Sequence, residues 1–139
     1  MIEAFLSKLI INERTDQHLM ILKEKDGNRI LPVVVSIFEA ISIDRVLRKL
    51  PIPRPLTHDL MNSMLIKLEV DLDFVEIAKL QQGTYFANLH LSNLNSHKVI
   101  IDCRPSDGIA LAVRAKCPIM IRRKVLEQAS EIDDSEQGE

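Results

Sequence analysis

The chain has 139 residues, 46% hydrophobic and 27% charged, with four glycines and six prolines, the balance of an ordinary globular domain, which excludes disorder as its main state. A domain of this length buries on the order of two-thirds of the surface its unfolded chain exposes, so it builds a core without disulfides. The formal net charge of −2 hides an asymmetry: Ser130–Glu139 holds five acids and no base, leaving 18 bases against 15 acids, or +3, in the remaining body. Residues 1–129 are expected to form one domain and residues 130–139 a disordered acidic tail. A body of +3 tolerates a polyanionic partner without the strong basic footprint of many nucleic-acid binders.

No apolar run reaches the roughly 20 residues needed to span a bilayer, and Glu3 and Lys8 interrupt the first stretch where a signal peptide is unbroken. The expectation is a cytoplasmic protein with no membrane partner. Cys103 and Cys117 lie in no CxxC or zinc-spaced cluster and read as small buried hydrophobes.

Ile2–Ile11 is apolar and β-leaning, followed by the polar break at Asn12–Asp16, so a strand and a turn are predicted. His18–Lys23 and Arg29–Val35 flank Asp26-Gly27-Asn28, a hairpin with glycine in its turn. At Ser36 the period changes: Ile37, Ala40, Ile41, Ile43, Val46, Leu47 and Leu50 recur at three- and four-residue steps, an amphipathic helix. The Pro51-Ile52-Pro53-Arg54-Pro55 run then enforces an extended connection. Thr57 is a suitable N-cap for a second helix whose Leu60, Met61, Met64, Leu65 and Leu68 share one face.

Three β-like runs follow, Asp71–Leu80, Thr84–Ser92 and Lys98–Cys103, and Pro105 opens a third helix through Ala115. Pro118–Ile121 reads as a short strand and Arg122–Ala129 as a last helical turn. Three strands and a helix therefore occur twice, around one intervening helix, and the expected fold is α+β with duplicated β-β-β-α units. Superposing the two units sets Glu39 on Asp107.

The residues that can carry chemistry gather at the predicted helix starts: Glu39, Asp59 beside His58, and Asp107. Each acid alone is explained by capping, Ser36-x-x-Glu39 having the spacing of a capping box. As a group at one mouth, three carboxylates and a histidine can hold Mg²⁺ or Mn²⁺. His58 is either a solvated loop residue or a general acid/base. Arg54 and Arg104 either fork onto phosphate or neutralise these acids. His18, His90 and His97 lack a charged partner at useful spacing and read as structural. Hydrolase-elbow, zincin, P-loop and dinucleotide fingerprints are absent. With four Phe, one Tyr and no Trp, no aromatic ladder for stacked bases is present.

Four ordered blocks carry a family resemblance. They are Leu31-Pro32-Val33-Val34-Val35 followed by Glu39-Ala40, then Pro53-Arg54-Pro55-Leu56-Thr57-His58-Asp59-Leu60, then Thr84-Tyr85-Phe86-Ala87, and Arg104-Pro105-Ser106-Asp107-Gly108-Ile109-Ala110-Leu111-Ala112. In these the chain resembles the bifunctional nuclease domain family of bacteria and plants. Two departures stand out: Ser36-Ile37-Phe38 where the family often has a glycine-containing loop, and Gly108 where alanine is usual. The resemblance implies a compact α+β fold, oligomeric and most simply dimeric, with DNase and RNase activity.

The expected function is metal-assisted hydrolysis of DNA or RNA phosphodiesters. Glu39, Asp59 and Asp107 would hold the Mg²⁺ or Mn²⁺, and His58 would move a proton. Arg54 and Arg104 would hold the phosphate, with Thr57 and Ser106 contacting substrate. The rival is a non-catalytic binding or assembly module in which the same residues cap helices and pair with arginines.

Overall fold

The computed structural model describes residues 1–134. Eight strands form one mixed sheet in the order β6-β5-β4-β7-β1-β2-β3-β8, accompanied by four helices. The elements are β1 (Ile2–Ile10), β2 (His18–Glu24), β3 (Arg29–Val35), α1 (Ile37–Leu47), α2 (Thr57–Lys67), β4 (Asp71–Gln81), β5 (Thr84–Ser92), β6 (Lys98–Cys103), α3 (Pro105–Ala115), β7 (Ile119–Ile121), α4 (Arg123–Ala129) and β8 (Glu131–Ile132). None of the described helices is long and apolar enough to cross a membrane.

The duplicated units are plain in the pairing. β1-β2-β3 and β4-β5-β6 are antiparallel meanders set back to back, with β7 wedged between β1 and β4. β7 runs antiparallel to β1 and parallel to β4, so β1 and β4 oppose each other, as a twofold axis normal to the sheet requires. α1 and α3 each follow the third strand of a unit, pack on one another, and α2 packs on α3. Met20, Leu31 and Val33 from the first meander and Val75, Ile77 and Leu89 from the second share one core with Ile109 and Leu126. α4 touches both β3 and β4, which three strands separate in the sheet. The sheet therefore curls around that core.

Local chemistry sets the ends. The β4–β5 turn is Gln82-Gly83 with φ of 52° and 77°, two left-handed residues, as a tight two-residue hairpin needs. Pro105 occupies the first turn of α3, and Lys116 closes it in the left-handed conformation. α1 stops at Leu47 rather than running to Leu50, because Lys49 turns to a φ of 53°. The N-cap of α2 is Leu56, so Thr57 is already helical. Met61 and Leu65 pack on the core, whereas Leu60, Met64 and Leu68 are exposed. The face these residues share is only partly covered, since α2 packs mainly on α3 and meets the sheet chiefly at β4.

The acidic segment expected to be disordered begins instead as β8, where Glu131 and Ile132 pair with Ile30 and Arg29. Asp133 donates its backbone N–H to Asn28 O and pairs with Lys23. Residues 135–139 of that segment lie outside the described residues.

Gly108 lets α3 approach β4: a Cβ there would lie 2.7 Å from Val75 Cγ1 and 3.4 Å from Cys103 Sγ. Alanine is the better helix former by up to about 1 kcal/mol, but overpacking a core costs about 1–3 kcal/mol. Gly108→Ala should therefore lower the unfolding free energy in the wild-type background and raise it in a Val75→Ala background, as read by urea denaturation.

Candidate functional site

The predicted helix starts do meet, and arginines rather than a shared ion hold them together. His58, in the first turn of α2 and 8% exposed, is fixed at both ring nitrogens. Ser42 Oγ on α1 lies 2.8 Å from Nδ1, and Asp107 Oδ1 on α3 lies 2.9 Å from Nε2. Arg114 Nη2 donates to Ser42 Oγ at 3.2 Å, leaving the hydroxyl proton for Nδ1. In the neutral ring, Nε2–H then donates to Asp107. Three helices thus meet at one imidazole.

Asp107 is doubly occupied. Arg104 Nε reaches its Oδ2 at 2.8 Å and Arg104 Nη2 its Oδ1 at 3.1 Å, a bidentate fork across the first turn of α3. The third guanidinium nitrogen, Nη1, pairs with Glu39 Oε1 at 2.7 Å. Burial raises the Asp107 pKa, but Arg104 and His58 outweigh it and hold the carboxyl below the usual range. The same carboxylates hold the Arg104 guanidinium above its ordinary value.

Glu39 is not the acid of a capping box. Ser36 makes no side-chain cap bond, and Glu39 is buried, with Oε2 unpartnered among the described residues. The capping acid is Asp59, whose Oδ2 accepts the Leu56 N–H at 3.0 Å. Its Oδ1 accepts from Arg114 Nε at 2.8 Å. Burial opposes ionisation of Asp59, and Arg114 overrides it, lowering the pKa. Arg114 also donates to Ala110 O at 2.8 Å and Ser42 O at 3.2 Å, so its buried guanidinium ties α1, α2 and α3.

These positions correct the expected metal site. Asp59 is turned away to Arg114, and Arg104 lies between Glu39 and Asp107. Among the described residues no group of three His, Cys, Asp or Glu is placed to hold a metal. The donor set as folded does not fit Mg²⁺ or Mn²⁺, which need several oxygen ligands around one point.

Two cavities open beside Arg104. One, of about 330 Å³, is lined by His58, Asp107, Arg104, Arg45, Thr57 and Phe38, among others. The other, of about 370 Å³, is lined by Ser106, Arg104, Glu39 and Tyr85 with residues of β3. Phe38 is 81% exposed at the rim of the first. Arg54 is exposed in the proline run and lines neither cavity.

Sequence reasoning missed Ser42 and Arg114, and it missed a second polar cluster. Glu76 on β4, 1% exposed, accepts from His90 Nε2 at 2.7 Å and Asn88 Nδ2 at 3.3 Å and pairs with Arg122. Phe74 stacks on the His90 ring at 4.0 Å. His90 thus has the acidic partner the sequence did not reveal, because β4–β5 pairing sets Phe74 opposite His90 and Glu76 opposite Asn88. One signal was present: Glu76 sits between Val75 and Ile77 in an otherwise apolar stretch.

Two outcomes follow from these ion pairs. Removing one partner of a buried pair strands the other, so Arg114→Ala should cost about 3 kcal/mol in chemical denaturation. Arg114→Lys should recover little of it, because an ammonium lacks the fork. Asp59 and Asp107 are both held below their ordinary pKa. Their stabilisation is complete above the usual carboxylate range and lost as pH falls through the lowered values. Thermal midpoints measured down an acid series should fall, and less steeply in Asp107→Asn.

The profile of the Bifunctional nuclease domain matches residues 20–134. An uncharacterized protein of Mycobacterium tuberculosis is 33% identical over 129 residues, covering 93% of this chain and 76% of that protein. Bifunctional nuclease 2 of Oryza sativa subsp. japonica is 31% identical over 118 residues, 83% of this chain but 36% of the plant protein. Bifunctional nuclease 1 of Arabidopsis thaliana is 32% identical over 107 residues, 75% of this chain and 33% of its own length. The chain therefore spans about a third of the plant relatives it matches.

Proposed function

Because the chain belongs to the bifunctional nuclease domain family, we propose that it hydrolyses phosphodiester bonds of nucleic acid in the cavity bounded by His58, Asp107, Arg104 and Phe38. The observation that carries this reading is the Ser42–His58–Asp107–Arg104 chain: an oriented imidazole and an ionised carboxylate beside a guanidinium whose side chain is 65% exposed. A guanidinium held only by carboxylates at a cavity mouth can turn its fork to a phosphate.

The mechanism follows from that exchange. An incoming phosphodiester draws Arg104 off Asp107, and the guanidinium then faces the charge that grows on the phosphoryl oxygens. Asp107 Oδ2, freed of its partner, accepts a proton from the attacking water as its oxygen bonds to phosphorus; the P–O bond to the leaving oxygen breaks opposite it, and that oxygen takes its proton from solvent. His58 keeps Oδ1 engaged and the carboxylate aimed. Ser42 and Arg114 fix the ring, so they are positioning residues. Arg45 lines the same cavity and adds positive charge for the flanking phosphate. Phe38 offers its exposed face to a nucleobase, a contact worth about 1–3 kcal/mol. Thr57 remains a candidate contact on the cavity wall, Ser106 lines the neighbouring cavity, and Arg54 has no place in this geometry.

The second reading, a binding module without catalysis, draws on the ion pairing itself: Glu39, Asp59 and Asp107 are each paired with an arginine. Cleavage of fluorescent single- and double-stranded DNA and RNA, run beside anisotropy measurements of binding, separates the two. Wild type should cleave, and Asp107→Asn should lose about 10²–10⁴-fold in rate while binding persists. Binding by both with cleavage by neither favours the module. Since Arg104 already occupies both Glu39 and Asp107, cleavage should survive EDTA. Strict dependence on Mg²⁺ or Mn²⁺ would show that an ion displaces Arg104.

A further inference from the structure

The two cavities beside Arg104 have only two lining residues in common, Glu39 and Arg104. That ion pair, with Nη1 on Oε1, is therefore the partition between them. The second cavity, of about 370 Å³, is large enough for a small ligand. Pro32, Val34, Pro105 and Tyr85 give it apolar walls, and Ser36 and Ser106 add hydroxyls. Ser36 makes no side-chain cap bond, and Ser106, 6% exposed, has no side-chain hydrogen bond among the described residues. Glu39 is 9% exposed, and its Oε2 has no partner among the described residues. A buried acceptor without a donor is costly, so this oxygen points to a donor that arrives with a ligand.

The exchange at Arg104 defines the chemistry of that donor. A phosphate that turns the guanidinium away strands Oε1 as well. The buried carboxylate then needs two N–H donors side by side. Guanine alone among the bases carries adjacent donors, N1–H and the 2-amino group, on one edge. Adenine and cytosine set an acceptor beside their amino group, and uracil or thymine flanks a single N–H with two carbonyls. The donor edge of guanine is itself a guanidine fragment, so it replaces the arginine in kind and supplies the donor that Oε2 lacks. Guanine O6 and N7 are acceptors, and the unbonded hydroxyls of Ser36 and Ser106 are donors of the matching kind. On the reading that Arg104 takes a phosphodiester, we propose that the second cavity is a guanine-selective subsite, with Glu39 as its specificity-determining residue. A strand crossing Arg104 then places one base against Phe38 and a guanine beyond the partition. The substrate is accordingly single-stranded, because in a duplex that edge of guanine is already paired with cytosine.

Mononucleotides test the subsite without any cleavage. In calorimetric titrations of the wild-type chain, guanosine 3′- or 5′-monophosphate should bind more tightly than the matching inosine monophosphate by about tenfold, since inosine keeps N1–H and lacks the 2-amino group. The adenosine monophosphates should bind more weakly still. Glu39→Gln exchanges one acceptor for a donor and should erase the preference for guanosine over inosine. Should that variant fail to fold, the wild-type series over the three bases decides alone. Single-stranded RNA and DNA oligonucleotides should be cut by the wild type beside guanine. Guanine-selective binding by a chain that cleaves nothing removes the nuclease reading and leaves the subsite standing. Equal affinity for guanosine and adenosine nucleotides overturns the subsite whatever the cleavage result. So does a guanosine preference retained in folded Glu39→Gln, or cleavage spread evenly over all four bases.

Discussion

The buried guanidinium of Arg114 is the constraint on which the site depends. Its five N–H groups form a rigid planar fork, and four bonds from it reach Asp59 on α2, Ser42 twice on α1, and Ala110 on its own helix. Helix packing alone leaves sliding and rotation to be settled by side-chain shape. A planar donor with fixed angles removes much of that freedom. With α1 and α2 tied in this way, Ser42 and His58 arrive within hydrogen-bond reach, and the imidazole extends to Asp107. The acid once suspected of holding a metal, Asp59, serves this brace instead.

The site is assembled with one guanidinium shared between two carboxylates. Arg104 spans Glu39 and Asp107 with all three nitrogens, so neither carboxylate repels an approaching polyanion as a bare one would. Such an arrangement folds without a ligand, because neither carboxylate is left without a cationic partner. It also ties substrate binding to activation: the arginine that recognises a phosphate is the one that masks the base. The orphan oxygen of Glu39 marks where this balance is incomplete.

Much of this was legible in the chain, for stated reasons. The switch from alternating to helical periodicity at Ser36 and the hairpin turns at Gly27 and Gly83, one inside each meander, identify the duplicated α+β order from local pattern alone. The gathering of Glu39, His58 and Asp107 followed from the helix starts. What the sequence withheld was the pairing across distance. Arg104 and Asp107 are three residues apart and could be matched, but Arg114 with Asp59 is separated by 55 positions and Glu76 with His90 by 14. Ser42 looked like one more polar residue in an amphipathic helix, and only helix packing reveals it as the partner of His58. The tail misled because its acids dominate its composition, while the backbone edge of β3 could still recruit Glu131 and Ile132.

The three residues of β7 join the two meanders within the sheet, bonding β1 on one side and β4 on the other. Each meander is built from neighbours in the chain and can assemble as soon as it is made. Their union waits for Ile119–Ile121, so during synthesis the inner edges of β1 and β4 stay open until β7 has followed both meanders out of the ribosome. The keystone of this sheet is thus delivered only after both of the halves it locks.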